Sequence, residues 1–78
     1  MSHDLRPLGR LAPGESGTVH RVACARPVAR RLLEMGLLPG TRVEVVRVAP
    51  FGDPIELTLR GYALSIRLAE AMQIEVAR

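Results

Sequence analysis

Hydrophobic and polar residues alternate along most of this chain, and glycine and proline cut the alternation into short runs. The cleanest run is Ile55, Leu57 and Leu59 alternating with Glu56, Thr58 and Arg60, the signature of a half-buried strand. Gly61 ends it, and Tyr62, Leu64 and Ile66 start a second alternating set at once. Thr41 to Ala49 is the most β-branched segment: Val43 and Val45 share one face, Val46 and Val48 the other. Such a strand is either covered on both faces or contains a bulge that switches face midway. Thr18 to Ala23 alternates imperfectly, with His20 and Arg21 between Val19 and Val22, which predicts a strand with a bulge or a partly exposed edge. Gln73 to Ala77, with Ile74 and Val76 inward, reads as a closing strand.

Two segments follow a helical period instead. Pro27 suits a first helical turn, and Val28, Leu32 and Met35 recur at i, i+4 and i+7, with Ala29 and Leu33 widening the stripe. Gly36 is placed to end this helix in a left-handed conformation. Arg67 to Met72 reads as about one helical turn. Residues 1–7 show no period and are expected to be loose. The expectation is therefore a mainly β, single-domain chain of about five short antiparallel strands, one short helix and one helical turn. Closure into a small barrel would spare it two long open edges.

Size and composition narrow the class. A 78-residue domain buries only roughly 60% of its unfolded-chain surface, so its core must be rich in apolar side chains. It is, at 47% hydrophobic, and aliphatic residues must fill it because Phe51 and Tyr62 are the sole aromatics. One cysteine, Cys24, excludes an internal disulfide and fits a reducing compartment. No apolar run approaches the roughly 20 residues of a membrane span, so a cytoplasmic protein that does not itself span the membrane is expected. Through Arg31, six arginines face only Asp4 and Glu15; from Leu32 onward, five arginines face six acids. The basic excess thus lies in the first half. It suits an acidic protein surface, phosphates or a membrane face, or simply keeps the chain soluble. Arg26 and Arg30 sit towards the helix N-terminus, where the dipole disfavours cations. Either that cost is tolerated or the positions face a partner.

Candidate chemistry is sparse. The chain has no lysine, which removes a phosphate-loop lysine and Schiff-base catalysis together, and its seven glycines sit singly at turns. Ser16 and Ser65 have no evident His–Asp partners, and turn formation accounts for Asp53. An enzyme is not expected. Nucleic-acid binding lacks the usual stacking platform, with two aromatics beside turns. His20 and Cys24 are candidate metal ligands, but four residues along a strand span roughly 13 Å. Ligands of one zinc lie within about 4 Å of each other, given bonds of roughly 2.0–2.3 Å. His20 is then an ordinary exposed histidine or one ligand of an open, weak zinc or iron site, and Cys24 a weaker candidate still. Phe51, at the tip of Ala49-Pro50-Phe51-Gly52, either folds back as a lid on a barrel end or marks a contact patch.

Four ordered motifs carry a family resemblance. They are L-x-x-L-x-P-G-x-x-G-x-V from Leu8 to Val19, R-R-L-L-E-M-G-L-L-P-G-T-R-V-E-V from Arg30 to Val45, A-P-F-G-D-P-I from Ala49 to Ile55, and R-G-Y-A-L-S-I-R-L-A-E-A from Arg60 to Ala71. Together they resemble the FeoA family over nearly the whole chain. The resemblance implies a src-homology-3-like barrel across residues 1–78 and a role as a small cytoplasmic accessory protein of bacterial ferrous iron uptake. The implied partner is the membrane transporter FeoB, whose own cytoplasmic GTP-binding domain would supply the nucleotide chemistry missing here. That partner would hold the protein at the inner membrane. Related barrels occur as C-terminal domains of metal-dependent repressors; no helix-turn-helix precedes this one, which favours a stand-alone protein. The family supplies no catalytic residues to carry over and requires no cofactor. The expected contact residues are Arg26, Arg30, Arg31 and Phe51. A free edge strand could also pair two copies.

Overall fold

The computed structural model describes residues 4–78. The alternating runs become strands: β1 (Leu5–Pro7), β2 (Ser16–Val22), β3 (Arg42–Val48), β4 (Ile55–Leu59), β5 (Tyr62–Ile66) and β6 (Ile74–Ala77). The helical stripe becomes α1 (Arg26–Glu34) and the last helical turn α2 (Leu68–Ala71). Leu8–Arg10 forms a 3-10 turn directly after β1. All strand pairs are antiparallel, in the order β1-β6-β2-β3-β4-β5. Inward rows run straight across the sheet: Val19 lies opposite Val76, and Val45 opposite Leu57, which faces Leu64.

Two bulges settle what alternation left open. In β2 the register shifts between Val19 and Arg21, so His20 is the extra, exposed residue. In β3 it shifts between Val45 and Arg47, leaving Val46 45% exposed while Val48 turns back against the core. The two-sided apolar pattern of β3 is therefore a change of face, not a strand covered on both sides.

Connections supply the rest of the core. Leu8, Leu11, Leu32, Leu37 and Ala71 are buried alongside the inward strand residues. Gly36, at φ +106°, turns the chain out of α1 as expected, with Leu37 N–H returning to the Leu32 carbonyl. Among the described residues no helix is long and apolar enough to cross a membrane.

Two expectations need correction. Leu5–Pro7 is not loose: it pairs with β6, Leu5 opposite Ala77 and Pro7 opposite Glu75. The remainder of the segment expected to be loose, residues 1–3, lies outside the described residues. That pairing makes six strands instead of five. Nor is the barrel hydrogen-bonded shut, since β1 pairs only with β6 and β5 only with β4 among the described residues. The sheet thus has five ladders and stays open between β5 and β1 among the described residues.

Candidate partner-docking surface

α1 presents the arginines in three different states. It begins at Ala25 without a side-chain cap and with no acidic residue in its first turn. Leu32 is fully buried and Val28 packs on the core, which turns Arg26, Arg30 and Arg31 outward. Arg26 has no carboxylate partner among the described residues. Arg30 lies 3.6 Å from Glu34 one turn on, with both side chains mostly in water. Such a pair contributes at most a few tenths of a kcal/mol and leaves the guanidinium accessible. Arg31 is committed elsewhere, because its guanidinium pairs with the Glu70 carboxylate of α2. Arg26 and Arg30 flank a shallow apolar depression of Pro27, Ala29 and Leu33.

The β3–β4 loop presents Phe51. The ring is 99% exposed, so it is no lid on the barrel end. The loop beneath it is well tied. Gly52 N–H donates to Ala49 O at 2.7 Å, Ala49 N–H to Pro54 O at 3.1 Å, and Asp53 Oδ1 accepts from Leu68 N–H at 2.9 Å. Asp53 thus caps α2 as well as turning the loop. The loop's own hydrogen bonds thus hold an exposed aromatic ring in water, the candidate contact residue of this surface.

An open cleft lies between these two elements, lined by Arg31 of α1, Met35 just past its end, Pro54 of the loop, Ser65 of β5, and Ile66, Arg67 and Glu70. Sequence reasoning missed the last three. Arg31 and Glu70 are 39 residues apart and share no local pattern. The one available signal was the spacing of Arg67 and Glu70, where the Glu70 carboxylate reaches back to the Arg67 N–H at 3.2 Å as in a capping box.

His20 and Cys24 are not brought into a metal site. Among the described residues no three His, Cys, Asp or Glu side chains converge. His20 projects from its bulge into solvent. Cys24 packs against the core with its Sγ 3.7 Å from Glu70 O. Burial first, and the Glu70 carboxylate second, push its thiol above the ordinary cysteine range, with Arg31 opposing. Among the described residues, His20 and Cys24 therefore do not come together with further donors into one site for a zinc or iron ion.

Known proteins match this architecture closely. A family model described as the FeoA domain matches residues 6–78. A Fe(2+) transport protein A/Fe(2+) transporter FeoB fusion protein of Porphyromonas gingivalis is 35% identical over 69 residues, which is 88% of this chain and 8% of that protein's length. The chain thus spans a small part of that relative. The solution structure of FeoA from Chlorobium tepidum superposes with a TM-score of 0.85 at 39% identity, covering 91% of this chain and 69% of that one. The zinc-complexed FeoA of Stenotrophomonas maltophilia, described as an SH3-domain protein, gives 0.77 at 28% identity over 91% and 87% of the two chains.

Proposed function

The chain belongs to the FeoA family of ferrous iron transport, and from that premise we propose that it acts as a binding module on a FeoB-type transporter. It works without catalysis of its own, in the cytoplasm at the inner membrane, docked on the transporter's GTP-binding domain. The observation carrying this reading is the Porphyromonas gingivalis relative, in which a domain 35% identical to this chain is joined to FeoB in one polypeptide. A covalent link keeps two modules at effective concentrations around the millimolar range, which favours even a weak contact.

Exposure and charge support this choice of contact residues: the Phe51 ring as apolar anchor, with Arg26 and Arg30 as accessible cations for an acidic patch. Arg31 serves less directly, because its charge is already met by Glu70. The test is biolayer interferometry against the soluble GTP-binding domain of the transporter from the same organism. Phe51→Ser and Arg26→Glu/Arg30→Glu should each weaken binding about tenfold or more, equivalent to roughly 1.4 kcal/mol. Unchanged affinity in both variants removes this surface. A metal-carrying reading is tested separately, by calorimetry with Fe²⁺ and Zn²⁺, and requires saturable binding at micromolar levels that His20→Ala abolishes.

A further inference from the structure

The outer edge of β5 is built to be paired. The strand follows a two-residue turn, Arg60 at φ +50° and Gly61 at φ +84°, with Leu59 directly opposite Tyr62. Positive φ at both turn positions marks a type I′ hairpin, and the residues closing it exchange hydrogen bonds. Bonded and non-bonded pairs then alternate along the ladder. Tyr62, Leu64 and Ile66 accordingly bond to β4, while Ala63 and Ser65 aim their N–H and C=O groups outward. Both residues are exposed, and no backbone hydrogen bond from another element reaches them among the described residues.

Proteins usually blunt such an edge with charge, proline, a bulge or a cover. β5 has none of the first three: Tyr62-Ala63-Leu64-Ser65-Ile66 carries no charged side chain and no proline, and its register against β4 is unbroken. Charge appears only at the two ends, at Arg60 and Arg67, and neither forms an ion pair among the described residues. That distribution decides what can lie alongside. Antiparallel pairing of two copies about Leu64 would set Arg67 of one copy opposite Gly61 of the other, one residue from its Arg60, and at both ends two unpaired arginines would then lie close enough to repel. A segment with carboxylates at its ends meets both arginines.

We propose that the β5 edge takes an extended, acid-flanked segment of another polypeptide as an added antiparallel strand. Backbone bonds to Ala63 and Ser65 supply affinity, and Arg60 and Arg67 select for acidic ends. At its Ser65–Arg67 end this edge borders the cleft shared with Arg31 and Met35, but it uses neither Phe51 nor Arg26 nor Arg30, so variants at those three residues test the docking surface separately from the edge.

The test titrates the full, ¹⁵N-labelled chain with a capped heptapeptide of alternating valine and threonine between terminal glutamates. Saturable amide shifts centred on residues 60–67 are expected. Lysine in place of the glutamates should weaken binding at least about tenfold, and Arg60→Glu/Arg67→Glu should reverse that preference. Ser65→Pro removes one outward N–H and no ladder bond, so it should abolish binding while the spectrum stays folded. Methylating alternate peptide nitrogens gives the same answer without a mutation, one set blocking binding and the other sparing it. Equal binding of the two peptides, shifts centred elsewhere, or tolerance of both methylated sets overturns the proposal. Sedimentation showing a dimer that Ser65→Pro converts to monomer also overturns it, by giving the edge to a second copy.

Discussion

The sheet ends in two strands of opposite character. β1 is three residues long and includes Pro7, and its central Arg6 is bonded to Asp4 at 3.1 Å. The chain then dives at once to Leu8, which is fully buried. Arg78, just past β6, pairs with Glu15 at 3.0 Å and donates its N–H to Asp4 O. Length, proline and charge all stop anything adding to that side. β5 has five residues, no charge and outward-facing exposed amides. One end is finished as structure and the other is left as surface. The difference predicts that mutations at the β1 end act on folding, whereas those on the outer β5 edge act on binding.

The sharpest way to break that contrast is through Leu8. Replacing it with alanine removes a side chain at 0% exposure and leaves a cavity under α2. A cost of about 2–5 kcal/mol is expected, and each kcal/mol lowers Tm by roughly 4–8 °C in a domain of this size. Ser65→Ala on the β5 edge should stay within about 0.5 kcal/mol. Thermal unfolding followed by circular dichroism measures both. Comparable losses at the two positions would erase the distinction.

A medium effect tests where β5 is tied to the rest. The Tyr62 hydroxyl donates to Met35 O at the end of α1, and a Cβ at Gly36 would come within 2.5 Å of that hydroxyl oxygen. Gly36→Ala therefore meets both a left-handed φ of +106° and this collision, and should cost about 1–3 kcal/mol. Tyr62→Phe loses a hydrogen bond worth about 0.5–1.5 kcal/mol. The two changes should not add, because removing the hydroxyl makes room for the new methyl. A double-mutant cycle in urea that comes out additive would mean β5 is not held to α1 through this tyrosine.

Local patterns were legible where the deciding physics was local. β4, β5 and the α1 stripe follow from periodicity, and the left-handed end of α1 from Gly36. The bulge at Val46 was visible as an alternative, because apolar residues on both faces of one strand demand some resolution. β1 was not legible, since a three-residue strand containing proline has no period and its partner β6 lies about seventy residues away. The Arg31–Glu70 pair was hidden for the same reason, which is why Arg31 looked as available as Arg26. Phe51 was read both ways, since composition cannot say whether a loop-tip ring turns in or out. The surface bearing on function depends on such long-range placements, so it was the part least readable beforehand.

The smallest expected effect separates the two ends by pH. Glu15 accepts the Ala12 N–H at 2.7 Å, and this bond, followed by Arg78 and Arg6, holds its carboxyl below the usual glutamate range against the opposing effect of burial. A depressed carboxylate contributes stability that is fully present above its unfolded value of about 4.3 and is lost as pH falls through the folded value. Tm should therefore drop on acidification from about pH 5 downward, and Glu15→Gln should flatten part of that drop by removing the titration. Added salt separates the contributions: the arginine attraction across solvent is screened within about 10 Å at 0.1 M, whereas the Ala12 bond is not. A slope that survives salt in the wild type but disappears in Glu15→Gln assigns the effect to that bond. β5 carries no carboxylate or histidine, so peptide affinity at its edge should follow the peptide's own glutamates, unaltered by Glu15→Gln. A Glu15→Gln chain that binds the peptide differently would show that the two ends of the sheet are coupled after all.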